Sequence, residues 1–291
     1  MKTCHSEYGT IKSLWIKPVT AAFLNQQILS SQWKELNYLG EPIYQKSLTE
    51  YKEFQSNFTR ENIELNFFSA DDHVMMDSIY CRDAAIATDY GMIICNMGKG
   101  GRINEPEAQA KAYRSAGFEI FGSIKAPGTL EGGDVAWLDD KTLAVGHTYR
   151  TNEEGISQLK ALLNPKGIEV ISVALPHYKG SSDVFHLMSI LSPVDKDLAV
   201  VYSPLMPITF RDTLLDRGFR FVEVPEEEFD SMGCNILALS ARKCLMVAGN
   251  PITAARLEAE GCEVITYPGD EISVKGGGGP TCLTRPVYRE I

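Results

Sequence analysis

The sequence predicts an α/β fold in which five ββαβ units close into a five-bladed propeller with pseudo-fivefold symmetry. The first observation is an order of elements, strand, strand, amphipathic helix and strand, that occurs four times along the chain. The second is a set of residues near the start of each first strand, at intervals of 51, 52, 49 and 47 residues: Asp83, Asp134, His186, Asn235 and Cys282. The third is an incomplete last unit whose missing elements occur at the N-terminus.

Each complete unit follows from hydrophobic periodicity, with short apolar strands on either side of an amphipathic helix. The first unit is predicted at 77–88, 91–97, 104–117 and 118–124. The second is predicted at 132–140, 141–147, 152–164 and 168–174. The third is predicted at 184–193, 197–203, 206–218 and 219–225, and the fourth at 234–241, 243–249, 250–261 and 262–268.

The fifth unit is divided between the two ends of the chain. After Cys282 only one strand, 282–287, remains, while a strand at 10–19, a helix at 47–59 and a strand at 63–69 stand at the N-terminus. A unit completed by both ends favours a closed ring over an open solenoid. We therefore expect one domain over residues 1–291, with 19–45 as an inserted helix and turn in the shared blade.

Composition limits the partners that the protein can have. The 291 residues are 44% hydrophobic and carry a net charge of −10, which disfavours nucleic acid and an anionic membrane surface as partners and favours a small cation. The seven cysteines are odd in number and form no CxxC pair, so we expect neither a disulfide framework nor a zinc site. The N-terminus lacks the apolar stretch of a signal peptide and no run approaches a membrane span, so a cytoplasmic location is expected.

A closed ring would bring residues at matching repeat positions together on its axis. Asp83, Asp134, His186 and Cys282 would then meet, although each of them alone could be a structural buried residue. A histidine beside a cysteine is the arrangement for a thiolate nucleophile with an acid/base partner. Nearby carboxylates would select a cationic substrate.

The glycine run 276–279 directly precedes Cys282. Glycine lets the backbone turn tightly and approach a ligand closely, so the run could deliver the cysteine to the axis. The alternative is a flexible surface linker. A phosphate-binding loop is disfavoured, because neither GxxxxGK[ST] nor GxGxxG is present.

The motifs DSIYCRD, LEGGDVAWLD, YRTNEEG, FHLMS and GGGGPTCLT, in this order, resemble the guanidine-modifying amidinotransferase superfamily. That superfamily comprises arginine deiminases, dimethylarginine dimethylaminohydrolases and amidinotransferases on a five-bladed α/β propeller. The resemblance implies that Cys282 is the nucleophile and His186 the general acid/base. It also implies that Asp83 and Glu131 hold the guanidinium, with no cofactor and no metal.

Within the superfamily, several positions resemble the dimethylarginine dimethylaminohydrolases. Deiminases and amidinotransferases carry His-x-Asp where this chain has His186, Leu187 and Met188, and Met188 could face N-methyl groups or only pack in the core. The resemblance implies that Asp77 binds substrate, and that Arg102 and Arg150 bind its α-carboxylate and the rim of the site.

Two features are closer to the deiminases, namely Arg82 in front of Asp83 and the sequence around the cysteine. The first hypothesis is therefore hydrolysis of an N-methylated arginine to citrulline and a methylamine. The alternatives are arginine deimination or amidino transfer and, more distantly, a non-catalytic binding protein of the same fold. Residues 71–77 could form a lid, and the helical outer faces could pair in a homodimer.

Overall fold

The computed structural model describes residues 2–291, which form five small β-sheets with helices on their outer edges. The strands are β1 (Lys2–Thr3), β2 (Thr10–Ile16), β3 (Glu64–Phe67), β4 (Ala85–Thr88), β5 (Gly91–Ile94), β6 (Ile120–Ser123), β7 (Val135–Asp139), β8 (Thr142–His147), β9 (Glu169–Ala174), β10 (Leu191–Asp195), β11 (Leu198–Val201), β12 (Arg220–Glu223), β13 (Leu237–Ser240), β14 (Lys243–Val247), β15 (Glu263–Tyr267) and β16 (Arg285–Glu290). The helices are α1 (Val19–Ala22), α2 (Gln26–Gln32), α3 (Tyr44–Arg60), α4 (Glu105–Ser115), α5 (Glu153–Leu163), α6 (Ile208–Asp216), α7 (Glu226–Phe229) and α8 (Pro251–Ala259).

Four sheets share one topology, in the strand orders β4-β5-β6, β7-β8-β9, β10-β11-β12 and β13-β14-β15. In each sheet the first two strands are antiparallel, as in the pairing of β7 with β8, and the last two are parallel, as in β8 with β9. A parallel pair needs a long crossover, and a helix provides it in every unit. The predicted ββαβ order is thus observed four times.

The fifth sheet joins the two ends of the chain. Strand β16 is antiparallel to β2, with Arg285 opposite Trp15, and β2 is parallel to β3, with Ser13 opposite Glu64. Helix α3 makes the crossover, and its Tyr51, Phe54 and Phe58 form one apolar face at helical spacing. This unit was predicted from the sequence, whereas β1, which adds a fourth strand beside β16, was not.

Neighbouring sheets lie side by side, and β13 reaches the fifth sheet through β2, the second strand of that unit. Strand β10 packs beside β7 and β13, β13 beside β2, and β16 beside β4. Between β4 and β7, the Gly132 N–H donates to the Asp83 carbonyl at 2.8 Å, and Asn96 pairs with Leu130 in an isolated bridge. Each sheet therefore has a neighbour on both sides, as a propeller-like arrangement requires.

Several predicted boundaries differ from the structure. Strand β4 begins at Ala85 and not at 77, and β10 begins at Leu191 and not at 184, because 3-10 turns precede both strands. The insertion 19–45 contains two short helices, α1 and α2, because Leu24 between them adopts φ of 60° and Asn25 then caps α2 by accepting from the Ile28 N–H. Strand β16 begins at Arg285 and not at Cys282, because residues 279–284 form a turn in which the Leu283 N–H donates to the Gly279 carbonyl.

The described residues, 2–291, include no helix that combines the length and the apolar composition needed to cross a bilayer. All seven cysteines are free thiols.

Candidate active site

The five residues at matching repeat positions lie on turns that precede the first strand of each unit. Asp83 precedes β4, Asp134 precedes β7, His186 precedes β10 across a short 3-10 turn, Asn235 precedes β13 and Cys282 precedes β16. All five side chains are buried. Because these strands are neighbours in the fold, their starting turns meet at one end of the molecule.

His186 and Glu131 form a buried pair. The His186 Nε2 lies 2.9 Å from the Glu131 Oε2. Burial alone would lower the pKa of His186, but the negative charges of Asp134, Asp83 and Glu131 outweigh it and raise the pKa from 6.5 to about 9. Burial would raise the pKa of Glu131, but hydrogen bonding and attraction to His186 hold it well below its usual range. A protonated imidazole beside an ionised carboxylate is therefore the stable state near neutral pH.

The backbone at Gly98 and Lys99 places Glu131 by satisfying its other oxygen. The backbone N–H groups of Gly98 and Lys99 both donate to the Glu131 Oε1 at 3.0 Å. A Cβ on Gly133 would overlap the His186 ring and come within 2.7 Å of the Asp83 Oδ1, so only glycine fits between these side chains. This close packing explains the GGD motif that the sequence shows here.

Asp83 has one occupied and one free carboxylate oxygen. Its Oδ2 accepts from the Arg102 Nη1 at 2.5 Å, whereas its Oδ1 is buried without a hydrogen-bond partner. Leaving a buried acceptor unsatisfied costs about 1–3 kcal/mol, so this oxygen is available for a donor that enters the site. The charge of Asp83 also raises the pKa values of both His186 and Cys282.

Cys282 lies on the turn before β16 and is 7% exposed. Burial raises the pKa of its thiol, and the charge of Asp83 acts in the same direction. Asn235 opposes this rise, because its Nδ2 donates a hydrogen bond to the Cys282 Sγ at 3.3 Å. The resting cysteine is therefore a thiol that a nearby cation would convert to thiolate.

The glycine run is a tightly packed turn and not a flexible linker. A Cβ on Gly276 would overlap the Tyr80 hydroxyl, and one on Gly278 would lie 2.5 Å from the Tyr80 ring. Gly277 adopts φ of +73°, which favours glycine, and a Cβ on Gly279 would lie 2.6 Å from the Asn235 side chain. The predicted close approach of this backbone to its neighbours is thus observed.

A cavity of about 180 Å³ opens onto the cysteine and the histidine. Cys282, His186, Met188 and Asn235 contribute to its wall, so Met188 lies where the sequence placed it, beside the reactive pair. The remaining wall comes from the loop 178–185, the segment 229–234, the glycine turn and two residues of the insertion, Asn37 and Leu39.

The two predicted carboxylate-binding arginines lie beneath the site and not at its rim. Arg102 is buried, and its guanidinium donates to both Glu105 oxygens at 2.8 Å, to the Tyr80 carbonyl and to Asp83. Arg150 is also buried and lies 3.5 Å from the Glu131 Oε2. Each guanidinium is paired with a carboxylate of the site, and the role of both arginines in binding substrate stays a prediction.

The Asp77 carboxylate is likewise paired with a cation, Lys99. Its Oδ2 lies 2.5 Å from the Lys99 Nζ, which also donates to the Leu36 carbonyl at 2.7 Å. Burial lowers the pKa of Lys99, and the adjacent Asp77 opposes that effect. The sequence analysis did not select Lys99, since a lysine in a glycine-rich turn carries no signal of a buried ion pair.

The segment 71–77 does not border the cavity at Cys282. Asp71 and Val74 line a separate groove with Lys17 and Glu105, and residues 76–79 form a buried 3-10 turn. The chain that covers the Cys282 cavity is the long loop 175–186, which contains Gly180 at φ of +108° and connects β9 to the His186 turn. Its lack of hydrophobic periodicity left it without a structural signal in the sequence.

Asp83, Glu131 and His186 have the spacing of a possible cation site, because one donor atom of each lies within 4.8 Å of the others. Two oxygens and one imidazole nitrogen could bind a divalent ion. Two of these groups are already paired, because His186 is hydrogen-bonded to Glu131 and the Asp83 Oδ2 accepts from Arg102.

Comparisons with known proteins show which family this chain resembles. A family model described as N,N dimethylarginine dimethylhydrolase, eukaryotic, matches residues 23–289. An N(G),N(G)-dimethylarginine dimethylaminohydrolase from Streptomyces coelicolor is 31% identical over 210 residues, which cover 72% of this chain and 73% of the relative. The chain belongs to the dimethylarginine dimethylaminohydrolase family. The family resemblance predicted from the motifs is confirmed, and the enzyme is a hydrolase that acts on C–N bonds of arginine derivatives.

The relatives extend beyond this family. An arginine deiminase from Mycobacterium marinum is 27% identical over 247 residues, covering 73% of this chain and 60% of the relative. One similar solved structure is a cysteine-to-serine mutant of the Pseudomonas aeruginosa dimethylarginine dimethylaminohydrolase, complexed with citrulline. The two chains superpose with a TM-score of 0.75 at 24% identity, and the match covers 94% of this chain and 98% of the Pseudomonas chain. An amidinotransferase of saxitoxin biosynthesis from Microseira wollei has a TM-score of 0.79 at 14% identity, covering 98% and 96%. These likenesses show a shared mixed α/β fold.

Proposed function

We propose that this enzyme hydrolyses an N-methylated arginine to citrulline and methylamine or dimethylamine, through a covalent intermediate on Cys282. The observation that carries the proposal is that Cys282 and His186 face one cavity while Glu131 and Asp83 stand directly behind the imidazole. A thiol, an acid and two carboxylates are the groups that cleavage of a guanidinium needs.

The carboxylates would bind the guanidinium. The free Asp83 Oδ1 is a buried acceptor, and a guanidinium N–H would satisfy it. The positive charge would also lower the pKa of the Cys282 thiol, which burial and Asp83 raise in the empty site. Substrate binding would therefore generate the nucleophile at the moment when its target is in place.

The reaction then divides into two steps. The Cys282 thiolate attacks the guanidinium carbon, a C–S bond forms, and the C–N bond to the methylated nitrogen breaks as His186 gives its proton to the departing amine. His186, now neutral, takes a proton from water, whose oxygen attacks the same carbon. The C–S bond breaks, the thiolate returns, and the ureido product leaves. The raised pKa of His186 supports this order, because the group begins the cycle as an acid.

The wall around the cysteine favours a methylated substrate. Met188, Met232 and Phe229 contribute apolar surface to the same cavity. Met188 also stands where deiminases carry a second carboxylate that holds the far side of an unsubstituted guanidinium. Arginine deimination is the second candidate, because the deiminase relatives match 73% of this chain.

We also propose that the five sheets are blades of one closed propeller and that residues 1–291 form a single domain. The pairing of β16 with β2 and the side-by-side sheets support both proposals. A homodimer and a cytoplasmic location stay predictions from the sequence.

The decisive experiment is a side-by-side incubation with arginine, monomethylarginine, asymmetric dimethylarginine and agmatine, with identification of both the ureido product and the released amine. We expect dimethylamine or methylamine from the methylated substrates. Ammonia from arginine alone would replace this proposal with deimination. Cys282→Ser should abolish turnover, whereas Cys4→Ser, which changes a half-buried thiol away from the cavity, should not. Binding of these guanidines without turnover by the unmodified enzyme would indicate the non-catalytic alternative.

A further inference from the structure

Asn235 contacts both Cys282 and the residue that precedes it in the chain. It occupies the fourth repeat position, is 6% exposed, and lines the cavity beside Cys282. Its Nδ2 lies 3.3 Å from the Cys282 Sγ, while its Oδ1 accepts from the Thr281 N–H at 3.0 Å and the Thr281 hydroxyl at 2.8 Å. One side chain thus connects the sulfur with the residue directly before it.

These contacts determine which way the amide faces. The Thr281 backbone N–H can only donate, so the oxygen of the Asn235 amide must lie on that side. A flipped amide would place its NH2 group against two donors and leave the oxygen facing the sulfur. The Asn235 backbone is held as well, because its N–H donates to the Met232 carbonyl at 3.0 Å. The amide N–H is therefore directed at the Cys282 sulfur by neighbouring groups and not by the sulfur itself.

We infer that Asn235 is a further catalytic residue, which stabilises the Cys282 thiolate by a directed N–H···S hydrogen bond, and that Thr281 is a positioning residue which sets the direction of that bond. The inference rests on the proposed function, in which Cys282 is the nucleophile. It gives the fourth repeat position a chemical role, which the sequence analysis did not assign to it.

Other cysteines show the opposite arrangement. The Cys81 sulfur donates to the Trp15 carbonyl at 3.5 Å, and the Cys234 sulfur donates to the Val200 carbonyl at 3.7 Å. A bond to a carbonyl oxygen uses the thiol hydrogen and so favours the protonated form, whereas a bond from an amide N–H favours the thiolate. The environment of Cys282 therefore differs in kind from that of these packed thiols.

The test measures ionisation of Cys282 without any substrate. The full chain is treated with iodoacetamide from pH 6 to pH 10, and carboxamidomethylation of Cys282 is followed by peptide mass spectrometry. A hydrogen bond to a charged group contributes enough that we expect Asn235→Ala to slow alkylation at pH 7 about tenfold and to move its midpoint to higher pH. Asn235→Asp, which keeps the shape but adds a negative charge, should slow it further.

Two more variants separate this role from packing. Thr281→Val keeps the backbone N–H but removes the hydroxyl, which lies 2.8 Å from the Asn235 Oδ1 and 3.9 Å from the Cys282 Sγ, so we expect a loss of about threefold in the same direction. Asn25→Asp changes an exposed asparagine at the N-cap of α2, where a carboxylate oxygen can accept from the Ile28 N–H in the same way, and should leave the Cys282 profile unchanged. Circular dichroism and melting temperature establish which variants are folded, and Thr281→Val decides the matter if the Asn235 variants are not.

Unchanged alkylation midpoints in folded Asn235→Ala and Thr281→Val would overturn the inference. Since alkylation needs no substrate, its outcome is independent of which guanidine the enzyme hydrolyses. Turnover that survives in Cys282→Ser would instead overturn the proposed function and leave the alkylation result standing. A parallel fall of kcat/KM with the alkylation rate is the result expected if both are correct.

Discussion

Replacing Glu131 with glutamine tests whether the carboxylate keeps His186 protonated. The glutamine oxygen can accept from the Gly98 and Lys99 N–H groups, as the Glu131 Oε1 does at 3.0 Å. Its NH2 group would then face the His186 Nε2, which lies 2.9 Å from the second oxygen. Because an NH2 group can only donate, the Nε2 would have to be the acceptor, and the imidazole would be neutral.

The size of the effect follows from the pKa of His186. Its rise from 6.5 to about 9 corresponds to roughly 3 kcal/mol in favour of the protonated ring. Asp134 and Asp83 supply part of this stabilisation and remain in the variant. We assign about half to Glu131, so Glu131→Gln should lower the pKa of His186 by about one pH unit or more.

The assay is the pH dependence of kcat/KM. In the unmodified enzyme the loss of the acid form of His186 should produce a falling limb near pH 9. Glu131→Gln should move this limb to lower pH and reduce the maximum, because the population with a protonated histidine and a thiolate becomes smaller. Glu50→Gln is the control, since Glu50 is also buried and accepts backbone N–H groups, from Glu271 and Ile272. An unmoved limb in a folded Glu131→Gln enzyme would refute the assignment of Glu131.

Three further outcomes are expected. Cys282→Ser should lower kcat by at least about a thousandfold, because a serine hydroxyl is a far weaker nucleophile than a thiolate. The melting temperature should stay almost unchanged, because the hydroxyl fits the same space. Residual turnover above that level would exclude the covalent route. Met188→Asp should raise the ratio of kcat/KM for arginine to that for dimethylarginine, as measured by released ammonia and dimethylamine, and a fall in this ratio would contradict the proposed position of the methyl groups. Glu7→Gln should lower the free energy of unfolding in urea by about 3–5 kcal/mol, because it leaves Arg82, 2.7 Å away, as an unpaired buried cation. Lys12→Met, at an exposed ion pair, should change it by less than about 1 kcal/mol, and equal losses in both variants would contradict this account.

The repeat could be predicted because burial leaves a periodic trace in the sequence. Strands such as β8 and β11 are buried on both faces and appear as continuous apolar runs, and the helices carry one apolar face. The same repeat indicates that Cys282 and His186 occupy matching positions before the first strands of their units, so the two residues could be expected to lie close together. Their separation of 96 residues would otherwise have hidden the pair.

Ion pairing could not be predicted in the same way. Arg102 follows Asp83 by nineteen residues, and the family resemblance predicts that it binds substrate. In the structure its guanidinium instead donates hydrogen bonds to Glu105, to Asp83 and to the Tyr80 carbonyl. A charged residue carries no sequence period that reveals its partner. Lys99 was missed for the same reason, although its ammonium group lies 2.5 Å from Asp77.

The charges around the reactive pair explain why this buried cysteine need not be ionised at rest. Asp83 disfavours a thiolate at Cys282 and favours a proton on His186, so one carboxylate holds both groups in their protonated forms. A guanidinium bound to Asp83 would cancel that charge at the sulfur and ionise the cysteine. The histidine would keep its proton for the departing amine, because the charges of Asp134 and Glu131, the latter 2.9 Å from Nε2, would still favour the protonated ring. A single cation could thus ionise the nucleophile while the acid stays protonated.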